Sequence, residues 1–139
     1  MRVLIDSDVL MDFYLKRHPF AIDAMRIFTA IEQGKVKAFV TPVIVSNVYY
    51  LLRKLSTHQK IIKELLKLMQ LVDVVHVDKA SIVKALNSSF KDFEDALQNY
   101  ASEQSNEIDV IVTRNTKDFK HSNIAVLAPA DFINSIEKT

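Results

Sequence analysis

The sequence has no cysteine, no tryptophan, a single glycine and three prolines among 139 residues. Without cysteine the chain can form neither a disulfide framework nor a thiolate metal site. Gly34 and the prolines are scattered, and no glycine-, proline- or serine-rich linker interrupts the chain. The length is within the usual range of one domain, so we expect a single domain over residues 1–139.

Long apolar runs are also missing. Only three apolar residues separate Arg2 from Asp6, so we expect no signal peptide. No run approaches the ~18 residues needed to span a bilayer, so no membrane partner is expected. Together with the lack of cysteine, this predicts a soluble, cytoplasmic protein.

An excess of one charge sign is absent as well. Lysine and arginine total 18 and aspartate and glutamate 17, which gives a formal net charge of +1. A dedicated duplex-binding protein usually carries a clear basic excess. Contact with a nucleic acid would therefore depend on where individual charges are placed.

Short apolar runs alternate with amphipathic stretches along the chain, which is typical of an α/β domain. The runs predict five strands, over residues 3–6, 37–41, 73–77, 109–113 and 124–127. Most of them are continuous in Val, Ile, Leu or Phe, as in parallel strands that are covered on both faces. The predicted architecture is a three-layer α/β/α fold with a central five-stranded, mainly parallel sheet and right-handed crossovers.

Helix signals lie between these runs. Apolar spacing predicts a helix over residues 20–33 that stops at Gly34. Thr41 and Pro42 are a cap and a first-turn proline, and they predict a helix to about residue 55. Further helices are predicted over residues 57–71, over 79–88 behind the cap Asp78, over 93–103 behind Asp92, and from Pro129 onward.

Polar side chains collect at one predicted edge of the sheet. Ligands of parallel sheets bind outside the carboxyl ends of the strands, and helices that lead into the next strand also begin at this edge. Five segments meet there, and they carry Asp6; Ser46 and Asn47; Asp92 and Asp95; Thr113; and Asn115 and Asp118.

Three carboxylates in one cleft repel each other. Two unit charges 4 Å apart repel by about 1 kcal/mol in water and by about 4 kcal/mol at an effective dielectric constant near 20. The cluster is therefore unfavourable unless protons or a cation neutralise it. Oxygen ligands without nearby cysteine or histidine indicate Mg²⁺ or Mn²⁺, either of which can activate water for phosphodiester hydrolysis.

Each acid also has a structural interpretation. Asp92 alone is more readily a helix cap than a ligand, and Asp118 alone is as readily a turn residue. Asp8 and Asp12 are interpreted as solvated side chains or local hydrogen-bond acceptors. Asp109 begins a strand at the opposite edge and is interpreted as structural. The functional prediction therefore depends on the convergence of segments.

Four stretches resemble the PIN-domain family, the fold of the VapC-type toxins of bacterial toxin–antitoxin pairs and of other metal-dependent ribonucleases. They are LIDSDVLMDF, TPVIVSNVYYLLRK, DFEDALQNYAS and VIVTRNTKDF. The likeness spans nearly the whole chain, and the last two stretches are the more specific ones. The resemblance implies that Asp6 is the first metal-binding acid, Asp95 the central one with Asp92 as auxiliary, and Asp118 the last.

The resemblance also covers three polar positions. Thr113 and Asn115 match small polar residues that touch the metal shell or the scissile phosphate. Asn47 stands where the family usually has a glutamate. Its oxygen can ligate a metal but brings no charge, so the implied metal affinity is weaker, or the site is completed partly by substrate.

The function implied is that of a Mg²⁺- or Mn²⁺-dependent endoribonuclease, the toxin of a pair, with RNA as substrate and an antitoxin as partner. Asp6, Asp95 and Asp118 would hold the cation, supported by Asn47 and Asp92, while Arg114, Arg53 and Lys54 steer the RNA backbone. A homodimer is expected by analogy.

The main alternative is a catalytically weakened PIN-like module that binds RNA or a protein, which Asn47 and the small net charge favour. Two minor alternatives are a haloacid-dehalogenase phosphatase and a response-regulator receiver. The phosphatase motif would have Thr or Val at Leu10, and the receiver would need a lysine after the fifth strand.

Overall fold

The computed structural model describes residues 1–138, so residue 139 of the predicted domain lies outside the described residues. Its centre is a five-stranded sheet in the order β3-β2-β1-β4-β5, in which every neighbouring pair is parallel. The strands are β1 (Arg2–Ile5), β2 (Lys37–Val40), β3 (Val72–Val74), β4 (Val110–Val112) and β5 (Ala125–Leu127). The predicted fold class is confirmed.

Seven α-helices lie within the described residues. They are α1 (Ser7–Leu15), α2 (Ala21–Glu32), α3 (Pro42–Arg53), α4 (His58–Leu71), α5 (Lys79–Leu86), α6 (Phe93–Ser105) and α7 (Pro129–Glu137), and a 3-10 helix covers Thr116–Phe119. No helix among residues 1–138 is both long and apolar enough to cross a membrane.

The central strands are buried because helices cover both faces of the sheet. Val3, Leu4 and Ile5 on β1 are essentially inaccessible to solvent, and so are Ile111 and Val112 on the neighbouring β4. In a strand, successive side chains point to opposite faces, so consecutive buried residues require cover on both sides. This burial fixes the register of β1 against β4 and hence the relative positions of the residues that follow them.

Caps define where several helices begin. The Thr41 hydroxyl accepts a hydrogen bond from the Ile44 amide, and Pro42 follows at the first position of α3. Asp78 caps α5 through the Ser81 amide, as predicted. At the end of α2, Gly34 adopts φ +74°, a left-handed conformation that suits glycine, and the predicted stop there is confirmed.

Residues 7–15, for which no element was predicted, form α1 in the structure. The helix begins directly after β1 with Asp6 as its cap, so no loop residues mark the boundary between the two elements. The third strand was also predicted too long. It covers only Val72–Val74, and the side chain of Val74 is exposed because β3 lies at an edge of the sheet.

Candidate functional site

A cleft of about 720 Å³ lies at the carboxyl edge of β1 and β4. Its carboxylate and asparagine side chains come from four parts of the chain: Asp6 and Asp8 after β1, Asn47 on α3, Asp92, Glu94 and Asp95 at the start of α6, and Asn115 and Asp118 after β4. All five side chains predicted as metal ligands therefore line one cleft. The parts of the chain meet here because parallel strands end at the same edge of the sheet.

Asp6 connects β1 to α1. One carboxylate oxygen accepts a hydrogen bond from the Ser7 amide at 2.7 Å, and the other accepts one from the Thr113 hydroxyl at 2.8 Å. The residue is only 7% exposed. Burial, with repulsion from Asp8, raises the pKa of Asp6 to about 6, although the bonds from Thr113 and Ser7 oppose this shift. The carboxylate is therefore fixed in position and only weakly favoured as an anion.

Asp95 lies in the first turn of α6 and is 8% exposed. Burial raises the pKa of Asp95 to about 8, and repulsion from Asp6, Asp92, Asp118 and Asp8 adds to the shift. The carboxylates are thus close enough to interact electrostatically, as the convergence of segments predicted. A positive charge in the cleft would favour their ionised forms.

Asp92 has both of the roles considered for it. Its carboxylate caps α6 by accepting a hydrogen bond from the Asp95 amide at 3.0 Å, and the residue also lines the cleft. Asp118 belongs to the 3-10 helix after β4, is exposed, and faces the same cleft.

The interpretation of Asp12 as a solvated side chain was wrong, whereas its role as a local acceptor is borne out by the bond from Arg17, five residues further along the chain. Its side chain is 1% exposed and forms a two-point ion pair with Arg114, at 2.7 and 3.1 Å. Arg17 adds a third contact at 2.8 Å. The partner in the loop after β4 is 102 residues away, and the sequence carries no local signal for such a pair.

Asp8 also has a distant partner, which its interpretation as a solvated or local acceptor did not include. Its Oδ2 accepts a hydrogen bond from the Arg114 amide at 3.0 Å, whereas its Oδ1 is buried and finds no hydrogen-bond partner among residues 1–138. Buried polar atoms are nearly always satisfied, so an unpartnered oxygen in the lining of a cleft suggests a ligand position.

Of the three basic residues predicted to steer the RNA backbone, two line the cleft and one does not. Arg114 lines the cleft, but its guanidinium is bound to Asp12 and lies over the ring of Phe20 at 4.0 Å. Lys54 also lines the cleft, while Arg53 is not part of the lining and donates to the Ser56 carbonyl.

Thr113 lies beneath the cleft, fully buried. Its hydroxyl donates to Asp6 and accepts a hydrogen bond from the Asn115 amide at 3.1 Å. It therefore orients Asp6 and the start of the loop after β4. Asn115 is exposed and lines the cleft, where its side-chain amide is accessible to a bound molecule.

Glu94 was not identified from the sequence. It lines the cleft and accepts a hydrogen bond from the Asn47 side-chain amide at 2.7 Å. The available signal was its place between Asp92 and Asp95 in the first turn of a helix that begins at the functional edge. The pairing with α3 becomes visible only when both helices are in place.

The donor set fits a hard divalent cation in its chemistry, because every candidate ligand is an oxygen atom. The raised pKa values of Asp6 and Asp95 and the unpartnered Asp8 oxygen fit it as well. The side chains do not form a complete coordination sphere. Among the described residues, no three His, Cys, Asp or Glu side chains form a group that could hold a metal ion. The cleft therefore brings donors together without assembling them fully.

Comparisons with known proteins identify a family and similar folds. A family model described as a PIN domain matches residues 2–117. Among curated proteins, none matches the chain. The chain is similar to the structure of VapBC-1 from nontypeable Haemophilus influenzae, with a TM-score of 0.68, 13% identity, and coverage of 94% of this chain and 99% of that chain.

Two further solved structures are similar. One is a toxin–antitoxin complex from Klebsiella pneumoniae, with a TM-score of 0.66, 19% identity, and coverage of 91% of this chain and 97% of that chain. The other is VapC20 from Mycobacterium tuberculosis, described as a sarcin–ricin loop cleaving toxin, with a TM-score of 0.62, 14% identity, and coverage of 78% and 86%. At these identities the similarity shows a shared fold.

Proposed function

The chain belongs to the PIN domain family, and we propose that it is a Mg²⁺- or Mn²⁺-dependent endoribonuclease that hydrolyses RNA phosphodiesters. The observation that carries this proposal is the convergence of Asp6, Asp95 and Asp118 on one cleft at the carboxyl edge of the sheet. Burial, together with repulsion from Asp6 and Asp118, raises the pKa of Asp95 above its usual range, and a divalent cation would offset that repulsion.

Asp6, Asp95 and Asp118 would hold the cation, with Asp92 and Asn47 in support. When bound, such a cation polarises a phosphoryl group and activates water for attack on phosphorus. Thr113 keeps Asp6 oriented through its hydroxyl. Asn115 offers an amide at the surface of the cleft, and Lys54 supplies a positive charge that attracts the RNA backbone.

We further propose that the protein is the toxin of a toxin–antitoxin pair and acts in the cytoplasm. Similar structures are described as VapBC and other toxin–antitoxin complexes, which supports an antitoxin as partner. A homodimer is proposed by analogy with the family.

A second candidate function is that of a PIN-like module that binds RNA or a protein without cleaving RNA. The observation that favours it is the uncharged Asn47 in the cleft, together with the lack of a closed metal-binding group in the described residues.

Metal dependence separates the two candidates. Purified chain incubated with a randomised pool of short RNA should cleave it when Mn²⁺ or Mg²⁺ is present, and a matched DNA pool should stay intact. EDTA should stop the cleavage and an excess of Mn²⁺ should restore it, because the acidic cleft needs a cation to position water. Cleavage that is insensitive to EDTA would reject the metal mechanism. Binding of RNA without cleavage in Mn²⁺ would favour the second candidate.

A further inference from the structure

A hydrogen bond joins two helices across the wall of the cleft. Asn47 on α3 donates from its side-chain amide to Oε2 of Glu94, in the first turn of α6, at 2.7 Å. An ionised carboxylate can only accept hydrogen bonds, so the NH₂ group of Asn47 must face Glu94. The orientation of the Asn47 amide is therefore set by Glu94.

The bond holds Glu94 against the wall of the cleft. Glu94 is exposed, and the first turn of α6, with its cap Asp92 and with Asp95, offers it no basic partner. A glutamate side chain is long and has several rotamers, so a fixed position against the cleft requires a partner. Asn47 is that partner, and its neutral amide adds no repulsion.

The balance of charge around the cleft points to a cation as ligand. The lining contains six carboxylate side chains, those of Asp6, Asp8, Asp92, Glu94, Asp95 and Asp118. It contains three basic side chains, and two of them, Arg17 and Arg114, are ion-paired with the buried Asp12. The negative charge of the lining is therefore largely uncompensated, and Glu94 adds to it.

We propose that Glu94 supplies a further carboxylate toward the divalent cation of the cleft and that Asn47 is a positioning residue that acts through Glu94. This inference rests on the proposed function, because it concerns the same cation. Asn47 then acts on the cation through Glu94 and does not contact the cation itself. The negative charge that the neutral Asn47 on α3 does not supply is then supplied by Glu94 on α6.

Mn²⁺ binding measured by calorimetry tests the inference without any assay of cleavage. Glu94→Ala should weaken Mn²⁺ binding by roughly 10–100-fold, the range typical for residues that support a metal site. Asn47→Ala should weaken it by a smaller factor. Because Asn47 acts through Glu94, the double variant should bind Mn²⁺ no more weakly than Glu94→Ala alone.

Two further variants serve as controls. Glu94→Gln keeps an acceptor for Asn47 and removes only the charge, so it should fold like the wild type and still lose Mn²⁺ affinity. Glu107→Ala removes an exposed glutamate that precedes β4 at the opposite edge of the sheet, and it should leave the dissociation constant unchanged. Thermal unfolding of each variant reports on the fold.

Different results overturn different parts of the account. If the wild type binds Mn²⁺ and Glu94→Gln binds it equally well, the role of Glu94 is wrong while the proposed function stands. If the effects of Asn47→Ala and Glu94→Ala multiply in the double variant, Asn47 contacts the ion independently and its positioning role is wrong. If the wild type itself takes up no Mn²⁺, both the proposed function and this inference fail.

Discussion

Asp6→Asn should reduce RNA cleavage by about 10³-fold or more while the protein stays folded. Two unit charges about 4 Å apart interact by about 4 kcal/mol at an effective dielectric constant near 20, which corresponds to about three powers of ten in rate, and the double charge of the cation makes this a lower bound. The measurement is the initial rate of cleavage of end-labelled RNA in Mn²⁺, with protein freed of contaminating nuclease.

The fold should tolerate this change for a structural reason. Asparagine is as good a helix cap as aspartate, and its oxygen can still accept the hydrogen bond from the Ser7 amide at the start of α1. The Thr113 hydroxyl can rotate to accept from the new amide. Asp109→Asn is a matched control, because Asp109 bonds the Arg2 amide at the opposite edge of the sheet. Equal cleavage by the wild type and Asp6→Asn would reject the proposed catalytic role of Asp6.

Asp95→Asn should stabilise the metal-free protein at alkaline pH by several kcal/mol, since each unit of the raised pKa is equivalent to about 1.4 kcal/mol. In the folded protein, burial and the neighbouring carboxylates raise the pKa of Asp95 to about 8 from an ordinary value of 3.8. Between these two values the folded state binds a proton that the unfolded state has released. The free energy of unfolding therefore falls as pH rises through this window, and the full loss is reached above about pH 8.

Asparagine has a similar shape and no charge, so it removes this loss. Urea unfolding of the wild type and Asp95→Asn, in the presence of a chelator, should give similar stabilities near pH 4 and a growing advantage of the variant toward pH 9. Asp6, whose pKa is raised to about 6, also lowers the free energy of unfolding as pH rises, and it does so in both proteins. An advantage that does not grow with pH, or a variant less stable than the wild type at pH 9, would contradict the assigned electrostatics.

The architecture could be predicted from the sequence because local signals agree with each other. Continuous apolar runs mark β1, β2 and β4, and the Thr41–Pro42 and Asp78 caps mark the starts of α3 and α5. Once the strands are parallel, the residues that follow β1 and β4 must lie at one edge. This reasoning placed Asp6 and Asp118 beside the same cleft without any knowledge of side-chain contacts.

The features that sequence reasoning missed depend on contacts between distant residues. The Asp12–Arg114 ion pair joins α1 to the loop after β4, and the Asn47–Glu94 bond joins α3 to α6. The two partners of each pair are far apart in the sequence, and each residue taken alone is interpreted as a solvated polar side chain. The helix α1 was not predicted because Asp6 follows β1 directly and is itself the cap of α1. No turn therefore separates the strand from the helix.

Carboxylates from separate parts of the chain should together bind one divalent cation. Anomalous scattering from a crystal soaked in Mn²⁺ would locate that cation. We expect a single strong peak in the cleft, within coordination distance of Asp6, Asp95 and Asp118. Mn²⁺ bound only elsewhere on the surface, with this cleft open to solvent and without a peak, would contradict it.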